Sequence, residues 1–175
     1  MRVTTLLAAT AGLFLVSGCA IPVAAPPGRA PASAAPSAPS PWSAYETRIF
    51  QLINAERGRR GIRPLVYNSE LDQMAKIQAT NMAHFQKMAH VLPEAELPAL
   101  SDRARYVGYG YREIAENIAL GYPSAESVVQ GWMNSSAHRR NILNPGVVET
   151  GIGIARSSAG GLYYAQVFGS QLNLR

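Results

Sequence analysis

Apolar residues follow one spacing over most of this chain and another at its end. Ser43-Ala44-Tyr45-Glu46 has the form of a capping box, in which Ser43 and Glu46 reciprocally satisfy exposed backbone donors. Tyr45, Ile49, Leu52, Ile53 and Glu56 follow at helical spacing, and Gly61 offers a stop. Leu65-Val66-Tyr67, after Pro64, reads as a short extended segment. Ser69 is placed to cap a second helix whose stripe of Leu71, Met74, Ala75, Gln78, Ala79 and Met82 should run to about Met88. Leu92 to Tyr111 lacks periodicity and reads as an irregular connection, with a helical turn expected over Glu113–Ile118. Ser124 should cap a third helix with an apolar face of Val128, Val129, Trp132 and Met133, and Ser135 or Ser136 a short one ending at Asn144-Pro145-Gly146. The period then changes. Val148–Arg156 and Leu162–Gly169, rich in Ile, Tyr, Val and Phe, flank a Ser/Gly turn and predict an antiparallel hairpin. Helices first and a hairpin last imply an α+β domain.

Before the first helix the pattern is of another kind. Arg2 is followed by the uncharged run Val3–Val16, which with Gly18 stays below the roughly 20 residues that span a bilayer and so reads as a removable signal. Val16-Ser17-Gly18-Cys19 resembles the lipobox of bacterial lipoproteins; the other reading is a secretory signal with a chance cysteine. The resemblance implies cleavage before Cys19 and acylation of that residue, and two or more acyl chains anchor stably. Ala20–Pro41 holds seven prolines and no core-forming stretch, so it reads as a semi-rigid spacer. The chain thus divides into a signal (1–18), a lipidated cysteine with linker (19–41) and one domain (42–175).

With Cys19 as the only cysteine, no disulfide is available to the domain, which must be held by its apolar core. The formal charge of +5 comes partly from Arg57, Arg59, Arg60 and Arg63 and from the pairs Arg103/Arg105 and Arg139/Arg140, read as solvated arginines or as contacts for anionic lipid. No nucleic-acid motif accompanies them, so no nucleic-acid partner is expected.

Candidate chemistry is sparse. Among the three histidines, His84 lies off the apolar stripe, His90 follows the second helix and His138 opens the short one. Glu116 is an acid inside the apolar frame Ile114-Ala115-Glu116-Asn117-Ile118, costly to bury unless paired, and reads either as a brace or as a general base. Glu149 opens a Gly-rich strand. Ser135 lacks the strand–turn–helix context of a nucleophile, and no P-loop, dinucleotide fingerprint or zinc helix is present.

Leu65–Leu71, Ala115-Glu116-Asn117-Ile118, Gly131-Trp132-Met133-Asn134-Ser135-Ser136-Ala137-His138-Arg139, Asn141-Ile142-Leu143 and Glu149-Thr150-Gly151-Ile152-Gly153 occur in this order. Together they resemble the CAP superfamily, also called SCP-like, in its cysteine-poor bacterial branch. The resemblance implies an α–β–α sandwich around a small antiparallel sheet, with a cavity in which His90, Glu116 and His138 match the family positions. Ala115 stands where the family usually has Gly, and Ser135 where eukaryotic members carry a second acid, with Glu149 as its candidate replacement.

Two functions follow from these readings. The first is a non-enzymatic module binding lipid, glycan or protein in the cell envelope, tethered to the membrane outside the cytoplasm, on the outer membrane if the organism has one. The second is a metal-assisted hydrolase with Zn²⁺ on His90 and His138 and Glu116 as base. The tether is directly testable: Cys19→Ser should abolish incorporation of labelled palmitate and release the protein from membranes.

Overall fold

The computed structural model describes residues 43–172; the signal, Cys19 and the linker lie outside them. The elements run α1 (Ser43–Gly58), β1 (Val66–Tyr67), α2 (Ser69–Phe85), α3 (Leu100–Val107), β2 (Tyr111–Leu120), α4 (Ala125–Asn134), α5 (Ser136–Ile142), β3 (Glu149–Arg156) and β4 (Leu162–Gln171). The sheet has the order β1-β3-β4-β2, with β1 parallel to β3 and the other pairs antiparallel. Helices α2 and α3 cover one face and α1, α4 and α5 the other, each over its own apolar cluster. This is the α–β–α sandwich.

The predicted helices and terminal hairpin are present, with four local differences. Helix α2 is capped by Asn68, whose Oδ1 accepts from the Leu71 amide at 2.9 Å, rather than by Ser69. It stops at Phe85, because Gln86 turns left-handed at φ 51°. The supposed irregular connection contains α3, which ends on Gly108 at φ 76°. The largest difference is β2, where a helical turn was expected. Ile114 and Ile118 lie four apart and mimic a helix, yet in the strand they share the α2 face, while Ala115 and Ala119 join the opposite cluster. Both faces are covered, so no apolar–polar alternation betrays the strand.

The stripe on α2 is legible because it is buried: Leu71, Met74, Ala75, Ala79 and Met82 are all at 0% exposure. Each Leu or Met so buried contributes about 1.5–3 kcal/mol. What lets α2 come so close is the glycine pair of β3. A Cβ on Gly151 would lie 2.0 Å from the Asp72 amide, and one on Gly153 would lie 2.4 Å from the Ala75 carbonyl carbon. Backbone meets backbone at both points.

Two arginines read as solvated are interior. Arg57 is 1% exposed and donates to four carbonyls: Nε to Arg63 (2.9 Å), Nη1 to Ile142 (2.7 Å) and Asn144 (2.9 Å), and Nη2 to Val147 (3.2 Å). Arg103, also buried, belongs to the site described below. Charge in a sequence does not reveal burial when the partners are distant main-chain carbonyls.

Two side chains cap the middle of the outer edge of β2. Trp132 Nε1 donates to the Ile118 carbonyl at 3.2 Å and Asn141 Nδ2 to the Glu116 carbonyl at 3.3 Å. Trp132 is 1% exposed among Val128, Val129 and their neighbours. Trp132→Ala should therefore cost about 3–5 kcal/mol in a denaturant titration, whereas a loss below about 1 kcal/mol would mean the indole is not a core anchor.

Candidate functional site

Glu116 sits in the middle of β2 on the face toward α2, opposite Val167, with its side chain 2% exposed. A carboxylate there needs partners, and two residues supply them. Arg103 of α3, at 0% exposure, donates Nη2–H to Glu116 Oε2 at 2.7 Å. His90 donates Nδ1–H to Glu116 Oε1 at 2.9 Å, the carboxylate fixing the tautomer. Behind them Gln78 of α2 accepts from Arg103 and passes its amide to the Ala89 carbonyl, one residue before His90. The chain of contacts runs from a fully buried guanidinium to a half-exposed imidazole. With Nδ1 engaged, the Nε2 lone pair of His90 is its remaining acceptor.

His138 joins this group through its backbone. Asn117, next to Glu116, donates Nδ2 to the His138 carbonyl at 3.2 Å, and Asn141 donates to Asn117 Oδ1 at 2.8 Å. Arg139 ties back to the Met133 carbonyl at 2.8 Å. The Trp-x-x-Ser-x-x-His-Arg block and the Glu-Asn pair are thus two halves of one clamp. His138 is half-buried, and desolvation, aided by repulsion from nearby His90 when that ring carries a proton, lowers its pKa.

The structure joins His90 directly to Glu116, ties the His138 backbone to the neighbouring Asn117, and leaves Glu149 out of these contacts. Glu149 pairs with Gly169, two positions along β4 from Val167, and its carboxylate accepts from Tyr109 Oη at 2.6 Å and Asn68 Nδ2 at 3.3 Å. Burial and that contact raise the Tyr109 pKa. In this register Glu149 engages Tyr109 and Asn68 rather than His90, Glu116 or His138. His84 is exposed and stacks edge-on with Phe85 at 4.7 Å, apart from the site.

The donor set does not fit a resident Zn²⁺. Both Glu116 oxygens are taken, one by a cation, so a metal would meet only the outer nitrogens of two imidazoles. Among the described residues no three of His, Cys, Asp and Glu gather as a metal site, and catalytic zinc takes three protein ligands. Nor does either ring hydrogen-bond a hydroxyl or thiol among the described residues. What remains is the His90 imidazole, oriented by Glu116, with the half-buried His138 ring near enough to feel its charge. Arg103 and Gln78 escaped the sequence reading as site members because nothing local marks them; Arg103 stands 13 positions from its partner.

A sheet between two helical layers, with two histidines and a braced acid assembled beside it, defines an SCP-like module. The family described as "CAP: Cysteine-rich secretory protein family" matches residues 50–168, and the chain belongs to it. Its relatives include an uncharacterised protein, YkwD, from Bacillus subtilis, 38% identical over 70% of this chain and 47% of its own length. An uncharacterised membrane protein of the same organism, YlbC, is 28% identical over 70% of this chain and 34% of its length. The chain therefore spans less than half of either relative. Among solved structures, an extracellular protein with an SCP domain from Bacillus anthracis aligns at a TM-score of 0.67 and 27% identity, covering 73% of this chain and 41% of the other. An outer surface protein of Borrelia burgdorferi shares the fold at a TM-score of 0.69 and 18% identity, over 75% of this chain and 96% of the other.

The lowered His138 pKa carries a sign. The folded state binds the proton less readily than the unfolded one, so the associated stability is present above the ordinary value of 6.5 and is lost as pH falls through the folded value. NMR titration should find His138 ionising below 6.5, and His90→Ala should move it part of the way back up.

Proposed function

We propose that this protein is a membrane-tethered, extracytoplasmic binding module of the cell envelope that holds its ligand without transforming it. The observation that carries this reading is the closed state of Glu116: with one oxygen on Arg103 and the other on His90, its charge is already compensated. Such a carboxylate is a poor general base. It is a good brace, because it fixes the His90 ring while that ring stays half-exposed.

At neutral pH His138 is uncharged, its pKa being lowered by burial. It and His90 offer nitrogen acceptors to hydroxyl donors, which favours a polyhydroxylated ligand such as an envelope glycan over an acyl chain or a protein. The Cys19 lipobox and the Pro-rich linker support a position close to the membrane and wall. The extracellular B. anthracis relative and the surface protein of B. burgdorferi agree with an extracytoplasmic setting, and no helix among the described residues is long and apolar enough to cross a membrane.

The test uses soluble peptidoglycan fragments and, in parallel, an envelope lipid extract. Material retained by the protein is eluted and weighed by mass spectrometry. A glycan fragment should be retained intact, and retention should be lost in the His90→Ala/His138→Ala double variant. Recovery of cleaved fragments would overturn the non-enzymatic reading, and retention of lipid alone would overturn the glycan assignment.

A further inference from the structure

A polar cavity of about 550 Å³ lies where β3 begins and β4 ends, and Arg63, Arg112, Glu149 and Ser170 are among its walls. No carboxylate lies within ion-pair distance of Arg57, Arg63 or Arg112 among the described residues. We propose that Arg63 and Arg112 form an anion site, separate from His90, Glu116 and His138, for the phosphate group of a phosphate ester.

The local backbone is built to present both guanidiniums. At Arg112 the pairing of β2 with β4 slips: Tyr111 faces Gln171 and Glu113 faces Ser170, which leaves Arg112 as an extra residue. Such a bulge re-aims a side chain. Here Arg112 Nη2 reaches the Gly146 carbonyl at 3.3 Å and lies 3.5 Å from Ser170 Oγ, so neutral acceptors hold the group without cancelling its charge. Arg63 is positioned from behind. Buried Arg57 donates to the Arg63 carbonyl and to three carbonyls between Ile142 and Val147, fastening the Arg63 segment to the loop beside the cavity. Arg57 is near enough for the Arg63 charge to lower its pKa further, after burial, so the two cations repel across this region.

Two carboxylates lie in the same region, and each is taken by a neutral donor. Glu149 pairs with Gly169 on the Tyr109 side of the sheet and accepts from Tyr109 and Asn68. Glu113 accepts from the Asn144 amide. Two guanidiniums against one engaged carboxylate on its walls leave the cavity positive, with buried Arg57 behind them. Paired guanidinium forks match phosphate oxygens geometrically. The volume falls within the range of small-molecule sites, so it admits a phosphate together with its ester substituent.

The test titrates the full chain in detergent, at low ionic strength where screening is weakest. The probes are inorganic phosphate and glycerophosphoglycerol, a water-soluble diester with the chemistry of a lipid headgroup. Binding is read by calorimetry and by the Nε–H resonances of the two arginines. Glycerophosphoglycerol should bind and shift both resonances, and Arg63→Gln and Arg112→Gln should each weaken it by about tenfold. Tighter binding of the diester assigns the site to a headgroup or polymer ester, and tighter binding of inorganic phosphate assigns it to the free ion. If a Gln variant misfolds, Arg112→Lys keeps the charge without the fork and should still weaken the diester measurably. Failure of both probes to bind, or an affinity unchanged in the folded variants, would overturn the site. Since His90→Ala should leave this binding intact, the result is independent of the ligand at the histidines.

Discussion

A carboxylate in the middle of a covered strand is the demand that organises one side of this molecule. Glu116 cannot remain charged at 2% exposure without compensation, and the compensating Arg103 is itself at 0%. Removing either member of such a pair costs about 3–5 kcal/mol, because the other is left buried and uncompensated. Helix α3 is therefore held where it delivers Arg103 to β2, Gln78 must face inward from α2 to meet the same guanidinium, and the segment after α2 is drawn in through Ala89 so that His90 engages the carboxylate's second oxygen. The half-exposed imidazole is the visible end of an interior arrangement, and for that reason its orientation is fixed before any ligand arrives.

The opposite side solves a different problem with similar means. A chain whose one cysteine precedes the domain has no covalent staple for its loops. Arg57 supplies a polar one, a single buried guanidinium joining the end of α1, the Arg63 segment and the turn after α5 through four carbonyls. Hydrogen bonds from a charged donor contribute roughly 1.5–3 kcal/mol each, set against the cost of desolvating the guanidinium. The same arrangement holds Arg63 at the rim of the cavity it shares with Arg112.

The legible parts of the sequence were those whose burial is one-sided. The stripe from Leu71 to Met82 and the face of Val128, Val129 and Trp132 announced their helices because only one face of each is apolar. The hairpin announced itself by β-branched and aromatic residues around a glycine turn. Strand β2 did not, because Ala115 and Ile114 face different cores and Glu116 and Asn117 are polar yet buried. Glu116 could be suspected from its apolar frame, and His90 and His138 from the family motifs. The residues that make them a site, Arg103 and Gln78, could not, since the contacts are long-range and carry no local spacing. The partners of Glu149 were hidden for a related reason: its carboxylate meets Tyr109, 40 positions away.

The closure of the β2 edge has a further consequence. The free side of a ten-residue edge strand is a template on which a neighbouring chain can add a strand, and proteins held at high density are the most exposed to that hazard. Here Trp132 and Asn141 occupy the outward carbonyls of Ile118 and Glu116, so an incoming strand finds two central acceptors already engaged. The other edge, β1, is only two residues long. Residues that bring the histidine block against the sheet therefore also limit how far the sheet can grow, and resistance to edge-to-edge pairing becomes a by-product of packing that block.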